Sequence, residues 1–170
     1  DGKATAHAPN VFAALRALES FAQLIEQGSP HDSGDQDAVL LQLRGLPWNI
    51  TDAPRFRHRG MLIDSSRHFL PVDTILAHID AMSALKLNLL HWHLVDFQSF
   101  PIQSKAAPGL GKGAFSGREC YSLDDLTRVV LYAKDRGVRV MPEIDTPGHT
   151  YSWRIGYPDI VASCPLTIQS

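Results

Sequence analysis

The chain has 170 residues, 44% of them hydrophobic and 20% charged, with a formal net charge of −2. That length suits about one domain, and that composition an ordinary globular chain. No basic block is present to attract nucleic acid or an anionic membrane, and no apolar run approaches the ~18 residues of a membrane span.

The first residues, DGKATAHAPN, lack the basic-then-apolar order of a secretory signal, so any such signal has been removed or lies upstream. VFAALRALESFAQLIE (11–26) has apolar residues at 11, 12, 15, 18, 21, 22 and 25, which is one face of a helix. QGSPHDSGDQD (27–37) is a polar loop rich in turn formers, and AVLLQL (38–43) is a short strand candidate. Residues 44–58, with Pro47 and Pro54, form a linker. Asn49-Ile50-Thr51 within it is a glycosylation sequon, meaningful in a secreted protein.

From Gly60 the pattern changes. GMLID (60–64) is a short apolar strand. Pro71 opens a helix, where its missing N–H costs nothing, and Val72, Ile75, Leu76, Ile79, Met82 and Leu85 keep helical spacing. NLLHWHLVD (88–96) is the second strand of this region, and 97–121 is irregular, with Gly and Pro throughout. Ser122 caps a helix with Asp124 and Asp125 in its first turn and Gly137 at its end. VRVMPEID (138–145) is the third strand, and the tail after 150 is irregular. Apolar strands alternating with amphipathic helices predict a parallel sheet. The domain boundary falls between 1–54, the end of a smaller unit with its linker, and 55–170.

Each of these three strands ends in polar residues. The first leads into Asp64, Ser65, Ser66, Arg67 and His68; the second carries His91, His93 and Asp96; the third carries Glu143, Asp145 and His149. Parallel α/β folds keep their chemistry at the carboxyl ends of strands, so three clusters in register mark one site. Taken singly, His91 and His93 read as core histidines, Arg67 as an ion-pair partner, and Asp73 and Asp80 as solvated helix residues. Trp92 and Trp153 read as core packing, or as aromatic faces of a sugar site. Together the clusters allow two chemistries. One is a metal hydrolase on His91, His93 and Asp145, since a His-x-His pair with nearby carboxylates holds zinc. The other is a sugar site, with Arg, Asp and His gripping hydroxyls and tuning an acid. Two cysteines, Cys120 and Cys164, are too few for a disulfide scaffold and lack metal-site spacing.

Two long stretches carry a resemblance. RGMLIDSSRHFLPVDTILAHIDAMSALKLNLLHWHLVD (59–96) looks like the first strand–helix–strand of the β-N-acetylhexosaminidases of glycoside hydrolase family 20, and MPEIDTPGHTYSW (141–153) resembles that family's third strand and following loop. The resemblance implies the first three strands of a (β/α)8 TIM barrel, preceded by the end of a small α+β domain. It implies removal of terminal N-acetylglucosamine or N-acetylgalactosamine from glycans, with retention, by substrate assistance. The substrate's acetamido oxygen attacks the anomeric carbon in place of an enzyme carboxylate. An Asp positions the acetamido group, and an adjacent Glu, its pKa raised, protonates the leaving oxygen. By the same resemblance Arg67 binds sugar hydroxyls, His149 hydrogen-bonds the general acid, Asp96 orients His149, and His93, Glu143 and Asp145 support them. No metal or cofactor is implied. The implied partners are N-acetylhexosaminide glycans and a second subunit in a homo- or heterodimer, with no nucleic acid or membrane. The implied location is lysosomal, vacuolar or secreted.

The sequence departs from the family in three places. It contains no Asp-Glu dipeptide, and its only glutamates are Glu19, Glu26, Glu119 and Glu143, so the catalytic pair is expected outside these 170 residues and the chain alone is expected to be inactive. Phe97 stands where the family usually has a second Asp, which bears on the orientation of Asp96. Cys164 matches a cysteine whose partner in animal members lies beyond Ser170. A truncated relative that binds sugar or a partner without catalysis is the non-enzymatic alternative.

Overall fold

The computed structural model describes residues 3–28 and 41–162. The chain divides into two compact units, Asp1–Arg57 and His58–Ser170. In the first, helix α1 spans Val11–Ala22, and the Asn10 side chain caps it by accepting from the Ala13 N–H at 2.9 Å. The helix stops short of the expected residue 26. Glu26–Gln27 (β1) instead pair antiparallel with Leu41–Gln42 (β2), so backbone pairing ends what the apolar periodicity would have continued. Residues 38–40 of the 38–43 strand candidate, most of the 27–37 loop, and Cys164 lie outside the described residues.

The second unit runs β3 (Gly60–Asp64), α2 (Val72–Ala84), β4 (Leu89–Val95), α3 (Leu123–Asp135), β5 (Arg139–Ile144). The strands form one parallel sheet in the order β3-β4-β5. A strand's side chains alternate between faces, and here the faces differ. Met61, Ile63, Leu90, Trp92, Leu94 and Val140 pack with Ile75, Leu76, Ile79 and Met82 of α2 and Val129 and Ala133 of α3 in one apolar cluster. Ile75 and Ile79 are fully buried there, and truncating either to alanine costs about 2–5 kcal/mol. The opposite face carries Leu62, His91 and Met141 in one row and Asp64, His93 and Glu143 in the next. Leu62 and Met141 remain 54% and 41% exposed, so the helices cover one face only. The polar row lies on the other face, at the carboxyl ends of the strands.

Sequence chemistry explains both helix ends. Ser122 and Asp125 form a reciprocal capping box on α3. At its C-terminus Gly137, at φ 67°, lets the Gly137 and Val138 N–H groups donate to the Lys134 and Ala133 carbonyls. Helix α2 closes in the same way, with Lys86 at φ 59° in the position glycine usually fills. Asp73 and Asp80 are solvated, as expected, and also reach the neighbouring helix: Asp73 accepts from Arg128 at 3.0 Å, and Asp80 accepts from Tyr132 and Arg136. The irregular stretches hold short 3-10 helices at Pro108–Gly113, Tyr151–Ile155 and Pro158–Ile160.

Candidate active site

Asp64 ends β3, and the chain turns back on it at once. The Ser66 and Arg67 N–H groups donate to Asp64 Oδ1 at 3.1 and 3.0 Å, and this turn aims the Arg67 side chain. Arg67 Nη1 donates to Asp64 Oδ2 and Nη2 to Asp96 Oδ2, each at 2.8 Å. Partial burial raises the Asp64 carboxyl, but hydrogen bonds from Arg67 and Ser66 outweigh it and hold the group below its usual range.

Asp96 follows β4 directly and is fully buried. Every polar atom it presents is engaged. Its N–H donates to the Ser99 carbonyl at 3.1 Å, and its carbonyl accepts from Ser152 Oγ at 2.7 Å. Oδ1 accepts from the Phe97 N–H at 2.5 Å, while Oδ2 meets Arg67, His93 Nε2 at 2.8 Å and, farther off, His149 Nδ1 at 3.5 Å. A buried carboxylate needs this compensation, because desolvation alone costs several kcal/mol. Ser66 and Ser99, both buried, exchange hydroxyl-to-carbonyl bonds of 2.8 and 2.7 Å and join the first two strand ends.

His93 stands between two carboxylates. Its Nε2 faces Asp96, and its Nδ1 lies 2.5 Å from Glu143 Oε1. A neutral imidazole has one donor, whereas two carboxylate acceptors call for two, so this geometry favours imidazolium. Burial pushes the His93 pKa down, but the bonds to Glu143 and Asp96 prevail and raise it. Glu143 also takes His91 Nε2, and its two histidine partners lower its pKa.

His149 lies in the loop after β5, in the left-handed backbone region at φ 59°. That conformation costs a histidine roughly 1–3 kcal/mol and needs surrounding structure to hold it. Its Nδ1 is 2.5 Å from Asp145 Oδ2. Asp145 is thus the nearer carboxylate to His149, and Asp96, expected to orient it, is the second.

The structure therefore brings Arg67, His93, Asp96, Glu143, Asp145 and His149 together at the strand ends. Asn49 belongs to the other unit and is exposed there. Asp64, placed in the first polar cluster but given no individual role, pairs with Arg67, and Ser152 joins the cluster unforeseen. Asp64 was legible as the strand-ending residue three positions before Arg67; Ser152 had no signal, since it reaches Asp96 from 56 positions away. Among the described residues, His93, Asp96 and Asp145 have ligand atoms within 4.8 Å of one another. This is not the His91, His93, Asp145 set of the metal reading, because His91 turns to Glu143 instead. The Arg67 guanidinium on Asp96 Oδ2 already supplies the positive charge there and opposes a second cation. Trp92 is core, donating to Ser65 Oγ at 2.9 Å, and Trp153 packs edge-on against Phe100.

Comparison with known proteins places this geometry. The model of the glycosyl hydrolase family 20 catalytic domain matches residues 56–169. Beta-hexosaminidase 1 of Arabidopsis thaliana is 48% identical over 159 residues, which are 94% of this chain and 28% of that protein. The human beta-hexosaminidase subunit beta is 47% identical over 92% of this chain and 27% of its own length. Among solved structures, the N-acetyl-beta-hexosaminidase of Streptomyces plicatus in complex with Thio-NAglucal superposes with a TM-score of 0.70 and 32% identity, over 85% of this chain and 30% of that one. The chitobiase of Flavobacterium johnsoniae gives a TM-score of 0.69 and 36% identity, over 86% and 21%. The chain thus spans less than a third of the length of these relatives. By its sequence and its mixed α/β fold with a parallel sheet, the chain belongs to glycoside hydrolase family 20.

Proposed function

We propose that the complete protein carrying this chain removes terminal N-acetylglucosamine or N-acetylgalactosamine from glycans, with retention and by substrate assistance. The three parallel strands are the start of a (β/α)8 barrel, and residues 1–54 the end of a small α+β domain. Arg67 binds sugar hydroxyls through its planar fork of donors. His149 hydrogen-bonds the general acid, and Asp96 with Asp145 holds His149. His93 holds Asp96, and Glu143 holds His93 from its other nitrogen. The acid Glu and its neighbouring Asp come from outside these 170 residues, which contain no Asp-Glu dipeptide.

The observation that carries this reading is the buried carboxylate of Asp96, which is 2.8 Å from Arg67 and 3.5 Å from His149. One anion thereby links a hydroxyl-binding cation to a histidine beside the acid. Relatives named as hexosaminidase subunits support a subunit partner, and the exposed Asn49 sequon supports a secreted or lysosomal location with a glycan at that site. The test is hydrolysis of an aryl N-acetyl-β-glucosaminide, followed by NMR of the released sugar. The complete protein is expected to release the β-anomer and the isolated chain nothing. Turnover by the isolated chain, or α-anomer as first product, would overturn the reading.

A further inference from the structure

Phe97 lies one residue past Asp96, and Tyr151 two past His149. Their rings stack with centroids 4.5 Å apart and planes 7° from parallel. The Arg154 guanidinium carbon lies 3.7 Å from the Tyr151 ring centre, so Tyr151 is engaged by both an aromatic and a cation. The same two segments meet at two more places: Ser152 Oγ donates to the Asp96 carbonyl at 2.7 Å, and Trp153 sets its edge to Phe100 at 5.7 Å. Between His149 and these fastenings the chain is tightly turned, with Thr150 Oγ1 bonded to the Pro147 carbonyl and the Trp153 N–H to the Thr150 carbonyl. A displacement of Tyr151 is therefore passed on to His149.

We propose that the Phe97–Tyr151 stack is a brace that positions His149 against Asp96 and Asp145. Of the three fastenings it is the nearest to His149 along the chain. His149 sits at φ 59°, a conformation that persists only when its surroundings over-determine it. Phe97 is 51% exposed, so its ring adds little to the core, and its ordered contact is the face it offers Tyr151. The inference rests on the role given to His149 in the proposed function.

The test is made in the complete protein, with Phe97→Ala, Phe97→Asp, Phe97→Tyr, Tyr151→Ala and the double variant Phe97→Ala/Tyr151→Ala. Phe97→Ala and Tyr151→Ala are each expected to lower kcat by about ten- to a hundredfold, the scale of a misplaced catalytic group. KM should stay within about twofold, and the pH dependence of kcat should move. Phe97→Asp, which also removes the ring, is expected to fall with Phe97→Ala, and Phe97→Tyr, which keeps the ring face, to retain activity. The double variant should be no slower than either single one, because the two rings act as a unit. Loss confined to KM would overturn the brace in favour of a ring that touches sugar. A lower Tm with unchanged kcat and pH profile would reduce the stack to packing. Should the unsubstituted protein turn over no N-acetylhexosaminide, the functional reading fails by itself. The brace is then decided by the His149 imidazole NMR signals, which Phe97→Ala should displace; unmoved signals would overturn it.

Discussion

The guanidinium of Arg67 holds the buried carboxylate of Asp96 at 2.8 Å while its other arm holds Asp64 at the same distance. Arg67 itself is 43% exposed on its side chain, so one cation ties two strand ends together and still offers a face outward. Lysine cannot reproduce this, because an ammonium lacks the planar fork. Arg67→Lys and Arg67→Ala are both expected to lower kcat/KM by roughly ten- to a hundredfold, the range of a lost charge-assisted hydrogen bond, mainly through KM. Steady-state kinetics of the complete protein on an aryl N-acetyl-β-glucosaminide checks this; a lysine variant close to the parent would refute the two-armed role.

Asp96 is more than a local partner. Replacing it by alanine leaves His93 buried with one carboxylate fewer and empties a closed site, so a loss of about 3–5 kcal/mol in unfolding free energy is expected. Asp96→Asn keeps the volume and the Phe97 N–H contact, so it should cost clearly less stability while still depressing kcat. Denaturant unfolding of both variants separates the two effects. Equal destabilisation would mean that shape rather than charge is what the site requires.

The His93–Glu143 pair sets a pH window. His93 has a raised folded pKa, so its contribution is complete below its unfolded value of 6.5 and is lost as pH rises through the folded value. Glu143 has a lowered folded pKa, so its contribution is present above its unfolded value of 4.5 and is lost as pH falls through the folded value. Stability measured against a His93→Gln variant should therefore differ most between those two values and converge at higher pH. A difference that grew steadily above pH 7 would show that His93 is held neutral.

Glycines near the site offer a graded test. A Cβ on Gly113 would lie 2.6 Å from the Ser152 carbonyl oxygen, and one on Gly156 would overlap the Gly109 backbone, whereas one on Gly148 meets nothing within 4 Å. Backbone cannot yield as a side-chain tip can, so Gly156→Ala and Gly113→Ala should each cost at least about 1–3 kcal/mol. Gly148→Ala should stay within about 0.5 kcal/mol. Thermal unfolding gives the order, and a Gly148 variant as damaged as the other two would contradict it.

Lys86 gives a change in the other direction. It occupies a left-handed position at the end of α2 that a Cβ strains, with φ 59°. Lys86→Gly relieves that strain at some entropic cost in the unfolded chain, for an expected net gain of about 0.5–1 kcal/mol. The Arg59 Nε bond to the residue 86 carbonyl uses only backbone at that end and should survive. A fall in Tm would show that the lysine side chain supplies more than it costs.

How far the fold could be read depended on how local its causes were. The β3–α2–β4–α3–β5 order follows from apolar runs and from Ser122, Asp125 and Gly137, which act on their own helix ends, so the sequence alone determined it. The gathering of polar residues at three strand ends was legible for the same reason. The end of α1 was not, since Glu26 and Gln27 answer to Gln42 and Leu41 across a strand pair.

Tertiary structure alone decided which charge meets which. Parallel pairing sets Asp64, His93 and Glu143 in one row, and this register turns His91 and His93 to Glu143 rather than to a shared metal site. It also gave His149 to Asp145 first and Asp96 second, and laid Phe97 on Tyr151. Apolar periodicity and helix caps are written within a few residues of where they act. Partners such as Asp96 and Ser152, 56 positions apart, exist only once the sheet has fixed its register and its loops have closed over the strand ends.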